Sequence, residues 1–174
     1  MTNFIDQLAA ASGSILRGNR FKMKILFPPI IAAIAETEQS EYFCISTDIP
    51  AKTLGTVEVP VYGGNKLKYP GDTVVPDWSC QLFLGPDTKI YRAIHRWAEF
   101  CNSIQLGIRA SDLALFGGAE VSLMDGLNQT AQKWVLIKIF PTDPGGLSLS
   151  KGDNDAYMTL DVSWAVNDIQ TNLV

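Results

Sequence analysis

The most regular feature of the chain is a two-residue alternation of apolar and polar side chains. Such alternation sets one face of a strand on a core and leaves the other in water. It is cleanest from Tyr157 to Val166, where Met158, Leu160, Val162, Trp164 and Val166 alternate with Thr159, Asp161, Ser163 and Ala165. In Asp77–Leu84, Trp78, Cys80, Leu82 and Leu84 face one way, and Ser79 and Gln81 the other. In Arg20–Phe27, Phe21, Met23, Ile25 and Phe27 alternate with Arg20, Lys22 and Lys24. Trp134–Phe140 is apolar on both sides except at Lys138, which suits a central strand covered on each face or a face buried against another subunit. Residues 107–132 mix glycines with short apolar pieces and predict loops with a weak strand around Ala119–Met124.

A hairpin is predicted over about 54–69. Val57, Val59 and Val61 alternate with Glu58 and Pro60, Gly63-Gly64-Asn65 accepts positive φ, and Lys66-Leu67-Lys68-Tyr69 runs back. Proline cannot donate to a strand ladder, so Pro60 places this arm at an edge with its nitrogen turned away from the partner strand. A long edge hairpin is a template for pairing with another chain.

One helix stands out, at about 87–106. Ile90, Ile94, Trp97, Cys101 and Ile104 recur at helical steps and form one stripe, while Arg92, His95, Arg96 and Glu99 fall on the polar side. Asp87, just after Pro86, is the expected N-cap. Pro141–Asp155 is turn-rich and joins two strands by a long connection. No repeat, low-complexity tract or linker divides the chain. The expected fold is mainly β: an antiparallel sandwich or barrel with one flanking helix, in one domain over 1–174, with residues 1–16 as a flexible or interface arm.

Composition narrows the classes. At 174 residues, a single core burying roughly 70% of the unfolded surface suffices without disulfide or metal. The charged fraction, 18%, is below the typical ~25% and hints at surface covered by partners. The longest apolar run, Pro28–Ala35, is too short to span a bilayer, and the start lacks a signal-peptide pattern, so a cytoplasmic origin is expected. Fourteen Lys+Arg against eighteen Asp+Glu give a net charge of −4, which argues against duplex binding driven by clustered cations. Basic residues gather at the start (Arg17, Arg20, Lys22, Lys24) and acidic ones at the end (Asp143, Asp153, Asp155, Asp161, Asp168). These are either complementary surfaces on neighbouring copies or two unrelated solvated faces.

No catalytic constellation emerges. Cys44, Cys80 and Cys101 form no C-x-x-C and are expected to be reduced core residues. His95, the only histidine, would sit on the polar side of the helix beside Arg92 and Arg96, away from the face of Cys101, and is expected at the surface. Asp153-Asn154-Asp155 lacks the glycine and terminal glutamate of a calcium loop, and Gly117-Gly118 and Gly145-Gly146 lack phosphate-loop context. Trp78, Trp97, Trp134 and Trp164 all fall on apolar faces and are expected in the core. No cofactor, metal or catalytic residue is expected; a binding or structural module is.

The order of these pieces resembles the tail tube proteins of contractile-tailed bacteriophages and related injection systems. The residues that carry the likeness are Arg17-Gly18-Asn19-Arg20-Phe21, Tyr42-Phe43-Cys44, Ile49-Pro50-Ala51-Lys52-Thr53-Leu54-Gly55, Val57-Glu58-Val59-Pro60-Val61, Tyr69-Pro70-Gly71-Asp72 and Asp77-Trp78, followed by the helix with Trp97 and a closing strand. The likeness covers roughly residues 17–105 closely and 133–166 loosely. It implies hexameric rings stacked into a hollow tube that conducts DNA, with sheath and baseplate proteins as partners, in a virion tail assembled in the host cytoplasm. It also implies that the hairpin, through Leu54, Val57, Val59, Val61, Tyr62, Leu67 and Tyr69, contacts other subunits or rings, and that Glu58 and Asp161 supply lumen or interface charge. The long apolar link Pro28–Gln39 departs from that pattern. A tube-initiator or baseplate paralogue is the alternative, and a monomeric ligand-binding β-barrel a more distant one.

Overall fold

The computed structural model describes residues 16–31, 41, 43–103, 108–109, 115–147, 149 and 157–173, with backbone alone at 102, 103, 108, 109, 172 and 173. Most of the expected arm over 1–16, most of the Pro28–Gln39 link, Ile104 and the Asp153–Asp155 turn lie outside them. In chain order the elements are β1 (Phe21–Leu26), β2 (Cys44–Asp48), β3 (Thr53–Pro60), β4 (Lys66–Val74), β5 (Trp78–Phe83), α1 (Lys89–Cys101), β6 (Asn102–Ser103), β7 (Ile108–Arg109), β8 (Gly117–Met124), β9 (Thr130–Asp143) and β10 (Thr159–Leu173). Six strands form one antiparallel sheet in the order β1-β8-β9-β10-β5-β2, β3 and β4 form a sheet of their own, and β6 pairs with β7. The large sheet curls into a nearly closed, barrel-like shape. The mainly-β expectation with one flanking helix holds.

The alternating patterns become faces as expected, except that Met158, which precedes β10, is exposed. Registers Leu160↔Leu82, Val162↔Cys80 and Trp164↔Trp78 line up the buried sides of β10 and β5, and Met23↔Val121 and Ile25↔Ala119 do the same for β1 and β8. Against this face α1 buries Ile90, Ala93, Ile94 and Trp97. Trp97 meets Trp164 with ring centroids 5.4 Å apart, and Trp164 stacks on Trp78 at 5.9 Å. Each indole N–H has an acceptor: Thr47 Oγ1 for Trp78 (2.7 Å), the Leu115 carbonyl for Trp97 (2.9 Å) and Cys80 Sγ for Trp164 (3.3 Å). The sheet interior is thereby filled with aromatic volume whose polar atoms are satisfied.

One feature of β9 escapes periodicity. Lys138 has φ of 53°, in the left-handed region, and is exposed in mid-strand. Across from it, Gly117 pairs with Ile139 and Gly118 with Ile137, so Lys138 is an extra residue, a bulge. The alternation flips there, so that both Leu136 and Ile139 are buried, and β10 flips in step between Val166 and Ile169. Asn167 donates its side-chain amide to the Lys138 carbonyl at 3.2 Å. The lysine that interrupts an apolar run thus marks a bend, which lets one strand pair supply the core on both sides of it.

Several expectations need correction. The helix spans Lys89–Cys101 rather than 87–106, because β6 begins at Asn102. Its first intrahelical bond runs from the Arg92 N–H to the Thr88 carbonyl, so Thr88, not Asp87, occupies the cap position; the Asp87 carboxylate pairs with Lys89 instead. The weak strand expected around Ala119–Met124 is a full interior strand, β8, which starts at Gly117-Gly118, a pair that by sequence alone reads as a loop. Only Cys80 is buried; Cys44 and Cys101 are half-buried, and Trp134 is partly exposed at the edge of the core. His95 is not a plain surface residue: it is half-buried, with Nε2 3.2 Å from the Gly145 carbonyl and its ring on Tyr91.

The bulge depends on Gly117, where an added Cβ would lie 2.5 Å from both the Leu26 carbonyl oxygen and Trp97 Cη2. Backbone on one side and a packed indole on the other cannot both yield. Gly117→Ala is therefore expected to cost about 3 kcal/mol in denaturant unfolding. Lys138→Val, which forces a β-branched residue into the left-handed region, is expected to cost about 1–2 kcal/mol.

Candidate assembly surface

The β3–β4 hairpin, spanning Thr53–Val74 rather than 54–69, stands off the large sheet with almost every residue exposed. Its registers Val57↔Tyr69 and Val59↔Leu67 place those four side chains on one face, with Val61 continuing the row. Glu58↔Lys68 and Pro60↔Lys66 occupy the other face, where Glu58 bridges Lys66 at 2.9 Å and Lys68 at 3.8 Å. Val61 N–H donates to the Asn65 carbonyl at 2.8 Å, so the nitrogen of Pro60, one residue earlier, points away from β4 as expected. Gly63 and Gly64 make the turn with φ of 97° and 82°, and Tyr62 at the tip is fully exposed. Nearer the root, the strand pairing slips between Leu54 and Thr56, and the Gly55 and Gly71 backbones pass closely, so that a Cβ on Gly71 would lie 3.1 Å from the Gly55 carbonyl carbon.

This face is costly in water. Val57, Leu67 and Tyr69 are each just over half exposed, and Val59 and Val61 somewhat less. Covering side chains of this kind from half exposure contributes roughly 1 kcal/mol apiece. A two-stranded hairpin without a third strand or a packed layer is marginal by itself. Its composition therefore makes sense where a further surface covers Val57, Val59, Val61, Leu67 and Tyr69. Leu54 and Tyr62 are exposed as well but lie at the root and the tip.

The hairpin's root is tied to the sheet. Lys52 Nζ lies 2.6 Å from Asp168 Oδ1 on β10. The bond from Lys52 and the Ile169 backbone N–H (2.9 Å) hold the Asp168 carboxyl below its ordinary range. The root segment Ile49–Lys52 also forms one wall of an open groove of about 570 Å³, closed on its other sides by Trp134, Ile169 and Thr171. By register Trp134 and Thr171 oppose each other on the core face of the sheet, beyond the part that Trp97 covers.

Asp161 and Glu58 do not come together. Asp161 lies on the sheet face turned away from the core and accepts from Gln81 Nε2 at 2.9 Å, with Ser46, Asp48, Ser79 and Ser163 around it. Glu58 sits between two lysines on the hairpin, so it is no free acidic group. Burial pushes the thiols up, Cys44 to about 11, Cys80 to about 12 and Cys101 in the same direction, leaving little thiolate at neutral pH. Sequence reasoning missed the groove, whose walls come from three separated segments; the exposed Ala51-Lys52 pair after Pro50 gives no periodic signal.

Fold and surface together describe a β-structured molecule with a projecting apolar arm. The protein named tail tube protein from Serratia phage KSP90 is 25% identical to this chain over 146 residues, covering 83% of this chain and 82% of that one. Among solved structures, a chain of the extended sheath–tube complex of PVC, an extracellular contractile injection system, superposes with a TM-score of 0.66 at 17% identity over 100% of both chains. A chain of the extended PVC sheath/tube terminator superposes with a TM-score of 0.63 at 17% identity, over 91% of this chain and 96% of that one. No known family's sequence profile matches. The resemblance drawn from the residue strings thus extends over most of the chain, to a phage tail tube protein in sequence and to contractile injection system components in fold.

The Lys52–Asp168 tie carries a pH dependence. A carboxyl whose pKa is lowered on folding stabilises the folded state above its unfolded value and loses that contribution as pH falls through the lowered one. Hydrogen exchange at residues 51–54 is therefore expected to be flat from pH 7 to 5, once corrected for intrinsic exchange, and to quicken only below the ordinary value of 3.8. Asp168→Asn should show the quickened exchange at every pH, with the large sheet unaffected.

Proposed function

We propose that this chain is a structural, non-catalytic subunit that joins copies of itself into hexameric rings, and that the rings stack into the inner tube of a contractile tail through which DNA passes. The observation that carries this reading is the hairpin, an arm with one uncharged apolar face and one salt-bridged face, which among the described residues adds no buried side chain to the core. An arm of that kind is useful when a neighbouring molecule covers it. The phage tail tube relative supports the tube, and the contractile-injection fold supports sheath and baseplate proteins as partners. Membership of a tail particle built in the host cytoplasm belongs to the same proposal.

The polar face around Asp161 is proposed to line the channel. A wall of carboxylates and hydroxyls repels phosphate at a distance and offers few cations to bind it, so DNA stays hydrated in transit. The net charge of −4 agrees with that role. Because a tube terminator shares the fold, a tube-end or baseplate paralogue is the second reading. The ligand-binding barrel has less support, since Trp78, Trp97 and Trp164 fill the interior that such a barrel would leave hollow.

Electron microscopy of the purified chain at high concentration is expected to show rings or tubes, and a persistent monomer would sink the proposal. Incorporation only at the ends of tubes made by another protein would favour the second reading. Val59→Asp with Val61→Asp should leave thermal unfolding of the subunit nearly unchanged and abolish stacking, since a buried unpaired charge costs several kcal/mol. Asp161→Lys should still give tubes, but these should retain DNA in low salt and release it in high salt, as judged by co-sedimentation.

A further inference from the structure

We infer that the groove at the root of the hairpin is the receptor for the hairpin of a second copy, so that the contact joins two different surfaces of the same chain. This rests on the self-assembly proposed above and adds the receiving surface. The groove is lined by Ile49, Pro50, Ala51, Trp134 and Ile169, together with Lys52 and Thr171. The incoming face would be Val57, Val59, Val61, Leu67 and Tyr69, the row of apolar side chains that the subunit leaves uncovered.

Three observations choose this occupant. The first is charge. Lys52, the one charged residue among those that line the groove, is paired with Asp168, so the groove presents no unpaired ion. The hairpin's apolar row carries none either, while Glu58, Lys66 and Lys68 sit on its opposite face and stay in water. Seating the row therefore buries no unpaired ion. The second is reach. The hairpin leaves the molecule directly from Lys52, and its eight-residue outgoing strand carries the apolar row away by roughly 3.3 Å per residue, so it cannot turn back into a groove walled by its own root. The third is continuity: Ile49–Lys52 is at once the wall of the groove and the stalk of the hairpin.

Two consequences follow. A contact between unlike surfaces repeats head to tail and either closes into a ring or continues as a filament. In addition, a hairpin seated in the groove braces the segment from which the receiver's own hairpin departs. Each docking then sets the direction of the next, and growth on an existing end becomes easier than starting a new assembly.

Complementation separates these ideas. Ala51→Trp fills the groove from an exposed position and leaves the hairpin intact; Val59→Asp with Val61→Asp disables the hairpin and leaves the groove intact. Each variant alone is expected to lower the polymerised fraction at least tenfold, while their mixture should give, by light scattering, a discrete complex holding the two variants in equal numbers, ring on ring where rings form without the hairpin. A p-benzoylphenylalanine in place of Leu67 should cross-link to peptides containing Pro50 or Trp134 of another copy, and this measurement in otherwise unaltered protein stands even if Ala51→Trp folds poorly. Normal polymerisation of Ala51→Trp, no complex on mixing two folded variants, or cross-links to another surface or to residues 1–15 would overturn the groove assignment and leave the tube reading standing. Failure of the unaltered chain to assemble would instead remove the reading on which the inference rests.

Discussion

The contact between Trp97 and Trp164 organises the molecule. Through it the helix is seated on the sheet, and through the stack of Trp164 on Trp78 the covering continues from β10 to β5. Gly117 is bare because Trp97 passes over it, and the bulge at Lys138 bends β9 where that glycine pairs. With the indoles in place, none of the buried core side chains among the described residues comes from the hairpin. That independence lets the hairpin carry apolar side chains for another purpose: the arm can remain exposed without weakening the fold that holds it.

The same separation explains the distribution of charge. Ion pairs lie outside the core: Lys22 with Glu41, Lys133 with Glu120, Lys52 with Asp168, and Glu58 between two lysines. Exposed pairs of this type add little stability. Their value here is positional, because they fix which faces are neutral. The hairpin is neutral on its apolar side and the groove presents no unpaired ion, the condition two desolvated surfaces must meet if they are to join.

How the strands would be used was partly legible from local pattern. Residues 157–166, 77–84 and 20–27 announced their faces because alternation is enforced by the pleat, whatever the partner strand is. The hairpin was equally legible, since Gly63-Gly64 and Pro60 are dictated by backbone conformation and a missing donor within the hairpin itself. The full length of β8 was not, because Gly117-Gly118 resembles a loop until the indole above it is known. Nor was the cap of α1, where Thr88 takes a φ of 48° and displaces Asp87 from the position its type prefers. The partial exposure of Trp134 escaped for the same reason: periodicity assigns a face to a residue, yet not how far along that face the covering layer extends.

Apart from the family resemblance, which rests on the order of its residue strings, the sequence by itself determined that the protein is mainly β, where one helix lies, and that it holds an apolar hairpin. These follow from interactions between near neighbours in the chain, whose geometry is the same in any fold. The tertiary structure alone decided that a lysine bends the longest strand pair, that three indoles close the core, and that Ile49–Lys52 meets Trp134 and Ile169 to form a groove. Those features arise between residues far apart in the chain, where only the packed arrangement, and no local rule, brings their surfaces together.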